Sequence, residues 1–248
     1  MKLTATVFSY STKKLFLICL FFVSVASSLS QAQEPVLINV MRLQLKPTLV
    51  EKFRAFHLNE VIPSQRAGGA AWRLTTTEEF GQSWTMTNST PLDDFAQLDE
   101  ETFVFSESGE TLFGLSVESR ERLVMQTRPD LGIAGDGTVL PLRRMAYMQV
   151  RQGKIPEFES FWAETVLPAM RGRGIDAYTI FQTLLGGSQG QYIGGMWLPN
   201  YAALDSLAMN TLLTPAQLAE FGDLVESFEV KIQSVDQELS YGFPSLQD

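Results

Sequence analysis

"ETVLPAMRGRG" occupies residues 164–174, and "NEVIPSQRAGG" occupies 59–69. Extended, "LQLKPTLVEKFRAFHLNEVIPSQRAGG" (43–69) falls on "MQVRQGKIPEFESFWAETVLPAMRGRG" (148–174). Gln44 meets Gln149, Phe53 meets Phe158 and Phe56 meets Phe161. Val61, Pro63, Arg66 and Gly69 meet Val166, Pro168, Arg171 and Gly174. Chance does not give so many identities in so short a span, so the chain carries an internal repeat. Weaker echoes follow: "DDFAQLD" (93–99) with "PNYAALD" (199–205), and "RPDL" (128–131) with "FPSL" (243–246).

Each copy reads in the same order. "LINVMRLQL" alternates at period two, with Val40, Arg42 and Gln44 on one face and Met41, Leu43 and Leu45 on the other; Tyr147 and Gln149 oppose Ala146, Met148 and Val150 in the second copy. Helical spacing follows, with Val50, Phe53, His57 and Val61 on one stripe and Ile155, Phe158, Trp162 and Val166 on its counterpart. Pro63 and Pro168 call for a kink, or for a helix that ends and restarts. Two short strands join around "FG" (80–81) and again around "GGSQG" (186–190). Helical halves are expected over 91–121 and 200–236, with Thr214 as N-cap and Pro215 at the first helical position. A short extended piece ends each copy, "RLVMQT" and "ELSYGF".

The fold class expected is therefore α+β, built of tandem ferredoxin-like (βαββαβ) repeats over 36–131 and 142–246 with a Gly-rich linker at 132–141. Each four-stranded sheet leaves one face bare. The two sheets are expected to stack and cover each other, an internal pseudo-dimer within a monomer.

Residues 1–32 read separately. Lys2, Lys13 and Lys14 precede the apolar "LFLICLFFVSVA", and Ser30 and Ala32 are the small residues of a cleavage site. That order is a secretory signal cut after Ala32, and it implies export to the periplasm or beyond the cell. Cys19 is the one cysteine and lies in that stretch, so the exported chain has no disulfide, thiol nucleophile or cysteine metal site. No later stretch is apolar enough to span a membrane. The chain carries 19 basic and 28 acidic residues, a net charge of −9, and no basic patch, which argues against nucleic acid as a partner.

The order of elements and the phrase "GKIPEFESFWAETVLPAMR" (153–171) resemble the dimeric α+β barrel superfamily, with its antibiotic-biosynthesis-monooxygenase-like and NIPSNAP-type members. The resemblance spans nearly the whole exported chain, but its motifs describe packing rather than chemistry. It implies any of several roles: cofactor-free oxygenase, heme-degrading enzyme, heme peroxidase, isomerase or a protein without activity. In heme-degrading members the ligand histidine comes late in the domain, where neither copy here has one. No cofactor and no metal are expected.

His57, the sole histidine, is a weak catalytic candidate with Arg42 and Tyr147. The face opposite the helices offers Arg42, Gln44, Tyr147 and Gln149 as a ligand-binding set, and Arg73 and Tyr178, aligned on the second strand, join it. Arg66 and Arg171 are expected to bond carbonyls at a helix end. Three readings stay open: a small-molecule-binding or scaffold module taking a small hydrophobic or aromatic molecule; a cofactor-independent oxygenase or isomerase on an aromatic or polyketide-like substrate; and a subunit of a larger envelope assembly.

Overall fold

A computed structural model describes residues 34–81, 84–99, 105–206 and 209–243; the segment read as a secretory signal lies outside the described residues. Among the described residues eight strands run in chain order: β1 Leu37–Leu45, β2 Leu74–Glu78, β3 Thr85–Leu92, β4 Val117–Thr127, β5 Leu142–Val150, β6 Thr179–Leu185, β7 Gln191–Leu198 and β8 Val225–Val235. Every neighbouring pair is antiparallel, and the order β1-β3-β2-β8-β5-β7-β6-β4 returns to β1.

This corrects the expected fold class. The chain is one closed eight-stranded antiparallel barrel with few helices, not a pair of ferredoxin-like units each with its own sheet. Two seams close it. Thr76, Thr77 and Glu78 of β2 pair with Val235, Ser234 and Gln233 of β8. Residues of β4 from Val124 to Thr127 pair with Leu185, Thr183, Gln182 and Phe181 of β6. A strand edge carries unpaired N–H and C=O groups, and joining the edges satisfies them where stacked sheets would leave them bare.

The second correction concerns "VESFEVKIQSV". It reads as the end of a helix, but the helix Pro215–Leu224 stops at Leu224 and the chain runs straight into β8. Val117–Glu121 is likewise strand. Ser227, Glu229 and Gln233 alternate with Phe228, Val230 and Ile232. Ladder pairing to β5 along the full length outweighs the weak helical preference of that stretch. Thr214 accepts a hydrogen bond from the Gln217 N–H in a capping box, which starts the helix.

Both copies of the repeated phrase fold alike, and neither proline breaks its helix. Residues 50–67 and 155–172 are continuous helical runs, each with a π turn just before its proline: His57–Val61 and Trp162–Val166. The Ile62 N–H reaches back to the His57 carbonyl, and the Leu167 N–H to that of Trp162. Each bond spans one residue more than an α-helical bond, so the wider turn accommodates the proline ring without a break.

Period two then sorts the side chains. Outward residues meet the helices: Leu43 and Leu45 pack with Phe53, Phe56 and Ile62, and Met148 and Val150 with Phe158, Trp162 and Leu167. Inward residues make a third core inside the barrel, where Ile38, Val40, Leu123 and Met125 face Met145, Phe181 and Ile193. Arg66 does not cap a helix; its guanidinium lies 4.5 Å from the Tyr241 ring centre.

Separated halves test the closure. Residues 36–131 or 142–243 expressed alone would present two open edges and half of the inner core. Light scattering should find them dimeric or aggregated; a monomeric, cooperatively melting half would show that the seams are dispensable.

Candidate functional site

Inside the barrel is a cavity of about 340 Å³. β1 sends Val40 and Arg42 into its wall, β4 sends Glu121, Leu123 and Met125, and β5 sends Arg143, Met145, Tyr147 and Gln149. It reaches the β6–β7 turn at Ser188 and includes Gln191, Ser227 and Glu229. One wall is apolar and the other is charged, the composition of a small-molecule site.

Glu78 organises the charges behind the lining, although neither it nor Lys231 lines the cavity itself. Its Oε1 lies 2.6 Å from Arg42 Nη2 and 3.3 Å from Lys231 Nζ, and the Glu78 side chain is 3% exposed. Glu121 approaches Arg42 at 3.7 Å, and Glu229 approaches Lys231 at 3.5 Å. Both cations face the Tyr147 ring, Arg42 at 5.9 Å and Lys231 at 5.6 Å from its centre. Burial acts to lower the Arg42 pKa, but Glu78 and Tyr147 more than offset it, so the guanidinium sits above its ordinary value. Burial lifts the Tyr147 phenol above its usual range, Arg42 acting against it, so the hydroxyl stays protonated and can donate. Two buried atoms on this wall, Arg42 Nε and Thr87 Oγ1, have no hydrogen-bond partner among the described residues.

Arg143 is different. Its guanidinium lies 5.1 Å from the Trp197 ring centre and 5.5 Å from that of Phe181. Among the described residues no carboxylate lies within ion-pair distance of it. Burial pulls its pKa down to about 10, and the only group acting the other way is Tyr147. Room for it comes from "GG" in β7. A Cβ on Gly195 would come within 3.0 Å of Arg143 Nη2, and one on Gly194, on the other side of the strand, within 1.8 Å of the Tyr178 hydroxyl.

The candidates named from sequence separate in space. Arg42, Tyr147 and Gln149 line the cavity. Gln44 does not; it accepts a 2.6 Å hydrogen bond from Thr85 Oγ1. Arg73 and Tyr178 sit one residue before β2 and β6, each joined only by an isolated bridge, and that parity turns them outward. Tyr178 packs against Trp162 beneath the second helix, with ring centres 6.0 Å apart, and burial raises its pKa. Arg73, 1% exposed, anchors the C-terminal segment. It donates to Gln65 Oε1 at 2.6 Å, to Thr75 Oγ1 at 3.0 Å, to the Leu239 carbonyl at 3.1 Å and to Asn88 Oδ1.

His57 belongs to that outer cluster. Its Nδ1 lies 2.7 Å from Arg73 Nη2, and its ring centre is 4.5 Å from that of Phe53. Arg73 can only donate, so the imidazole is neutral with Nδ1 as acceptor. Burial, and then the Arg73 charge, hold its pKa well below 6.5. His57 does not reach the cavity, so it is no base for chemistry there. The chain's one imidazole, enclosed by Arg73 and phenylalanines, is not placed to ligate a heme in this cavity. Among the described residues no cluster of His, Cys, Asp and Glu could hold a metal ion, and no helix is long and apolar enough to cross a membrane.

Sequence reasoning missed Glu78, Lys231, Glu229 and Arg143. Lys231 and Glu229 fall in the stretch read as helix. Arg143 shares the parity of Tyr147 and was findable by carrying the β5 alternation back four residues.

No protein-family model and no curated protein matches the sequence. Solved structures do match. A candidate monooxygenase from Lactobacillus acidophilus NCFM superposes with TM-score 0.55 at 10% identity, covering 82% of this chain and 94% of that one. Chlorite dismutase from Candidatus Nitrospira defluvii, in complex with imidazole, gives 0.55 at 8% identity, covering 82% and 93%. An anthrone oxidase-like protein gives 0.51 at 13% identity, covering 83% and 93%. At these identities the likeness is one of fold. It corrects the family resemblance drawn from sequence: the neighbours are chlorite-dismutase-like and monooxygenase folds, and neither a NIPSNAP-type relation nor a ferredoxin-like pair is shown.

His57 gives this arrangement a pH signature. Its folded pKa lies below the unfolded value, so the unfolded chain takes the proton more readily. The stabilisation is complete above about pH 6.5 and erodes as the pH falls, at up to about 1.4 kcal/mol per pH unit. Urea denaturation between pH 6.5 and 5 should show this slope in the native chain and a flatter one in His57→Gln; equal slopes would assign the loss to other groups.

Proposed function

We propose that this protein binds a small, partly aromatic molecule inside the barrel. The observation that carries the reading is a cavity of about 340 Å³ whose wall holds buried polar atoms without partners among the described residues, Arg42 Nε and Thr87 Oγ1, beside apolar Val40, Leu123 and Met145. Burying such atoms unpaired costs about 1–3 kcal/mol each, and a bound polar ligand or ordered water removes that cost. A packed scaffold would have filled the same volume with side chains. Similar folds among monooxygenases and chlorite dismutase are consistent with a small-molecule role. Base chemistry in this space would fall to Glu121 or Glu229, since His57 is outside it. We further propose that the protein is exported, on the order of charged, apolar and small residues in 1–32; a mature chain beginning at Gln33 would support this, and one retaining Met1 would not.

Thermal shift with benzyl alcohol and indole tests the binding site. Either probe should raise the melting temperature saturably, and Val40→Trp, which fills the cavity from β1, should abolish the rise. Equal shifts in both proteins would place binding elsewhere. No shift in the native chain, with either probe, would count against the reading.

A second expectation concerns the charged wall. Glu78→Ala leaves Arg42 and Lys231 without their shared carboxylate and should cost on the order of 3 kcal/mol, measured by chemical denaturation. A loss under about 0.5 kcal/mol would show the ion pairs to be solvated in effect.

A further inference from the structure

We propose that Arg143 is an anion receptor, and that the molecule held in the barrel carries a single carboxylate on a flat apolar body. The proposal rests on the small-molecule reading above and names the chemical class that the site selects.

Ion pairing around the cavity, rather than net charge, leads to this residue. Arg42 and Lys231 share Glu78, and each has a second carboxylate nearby, Glu121 or Glu229. Those two cations are already neutralised. Arg143 has no such partner among the described residues, although it faces the same cavity. Arg143 is half-buried, and a guanidinium that has lost part of its hydration without gaining an anion is a group that a ligand's carboxylate can complete.

The surroundings suit a planar acid. Trp197 and Phe181 hold the guanidinium at 5.1 and 5.5 Å from their ring centres, which restricts it and leaves its N–H groups to bond in plane. Gly195 beneath it has no side chain to compete for the space. Tyr147, two inward positions along β5, makes no hydrogen bond through its hydroxyl among the described residues and can donate to the same anion. Met145 lies between them, and Ile193 and Leu123 face it from other strands, an apolar seat for a ring. Glu229 pairs across from Tyr147 and Glu121 across from Arg42, while Arg143 lies four residues from Tyr147 along β5, opposite Gln233; the two carboxylates flank only the Tyr147 end of the seat. Their negative charge disfavours a ligand with a second anionic group.

Isothermal titration of the native chain with benzoate, and with benzyl alcohol as its uncharged counterpart, tests the assignment. Benzoate should bind saturably. Arg143→Gln should weaken benzoate ten- to hundred-fold, the effect expected for loss of a charge-assisted pair, and leave benzyl alcohol within about twofold. Arg143→Lys keeps the charge but loses the planar fork, so it should fall between. If the glutamine variant does not fold, arginine side-chain NMR of the unaltered protein replaces it: benzoate, and not benzyl alcohol, should shift one buried Nε–H resonance that is absent from the lysine variant. Equal affinity for both probes, unchanged in Arg143→Gln, would overturn the anion receptor and leave the cavity reading intact. Failure of both probes to bind the native chain would overturn the two together.

Discussion

Closure of the sheet is the constraint on which everything else depends. Once β2 meets β8 and β4 meets β6, every strand has two neighbours and two distinct sides. Side chains at alternate positions must then lie either inside, away from bulk water, or outside, under helices or solvent. A residue's role follows from its parity. Leu43 and Val150 become packing for the helices, while Arg42 and Gln149, one residue away in each case, become walls of a cavity. Shifting either strand by one residue would exchange the two sets and bury the wrong one.

Enclosure also explains the electrostatics. Charges inside a barrel lose hydration and must find partners within a few ångströms. Glu78 serves two cations at once, while Glu121 and Glu229, 44% and 65% exposed, add solvated partners at the margin. Against that ordered background an unpaired arginine stands out. Arg73 is buried more deeply, at 1% exposed, and spends its N–H groups on Gln65, Thr75, Asn88 and the Leu239 carbonyl. Its role is structural, tying the C-terminal segment to the first helix. The two arginines show that burial alone does not mark a site; what matters is whether the protein itself supplies the acceptors.

The two π turns belong to the same logic. A proline at the same place in both helical runs removes one N–H and crowds one carbonyl. Widening the preceding turn keeps the helix continuous and keeps Phe53 and Phe158, both fully buried, on the stripe that covers the barrel. His57 and Trp162 stand at the start of those turns. Trp162 donates to the Leu131 carbonyl at 3.0 Å, whereas His57 accepts from Arg73, so equivalent positions are closed by unlike chemistry.

By itself the sequence determined the local grammar: the alternation of β1 and β5, the amphipathic helices, the turns, and the repetition of the phrase around Pro63 and Pro168. These signals are carried by neighbours in the chain, and period two or 3.6 is enough to read them. It also determined that Arg42, Tyr147 and Gln149 share a face. Tertiary structure alone decided that the strands join into one closed sheet, because seam pairing joins residues such as Glu78 and Gln233 that no local pattern connects. It decided that 225–235 is a strand, since pairing to β5 outweighs a weak helical preference. And it decided which arginine meets a carboxylate and which does not, because a side chain's partners across a cavity come from strands that are distant in sequence and adjacent only after closure.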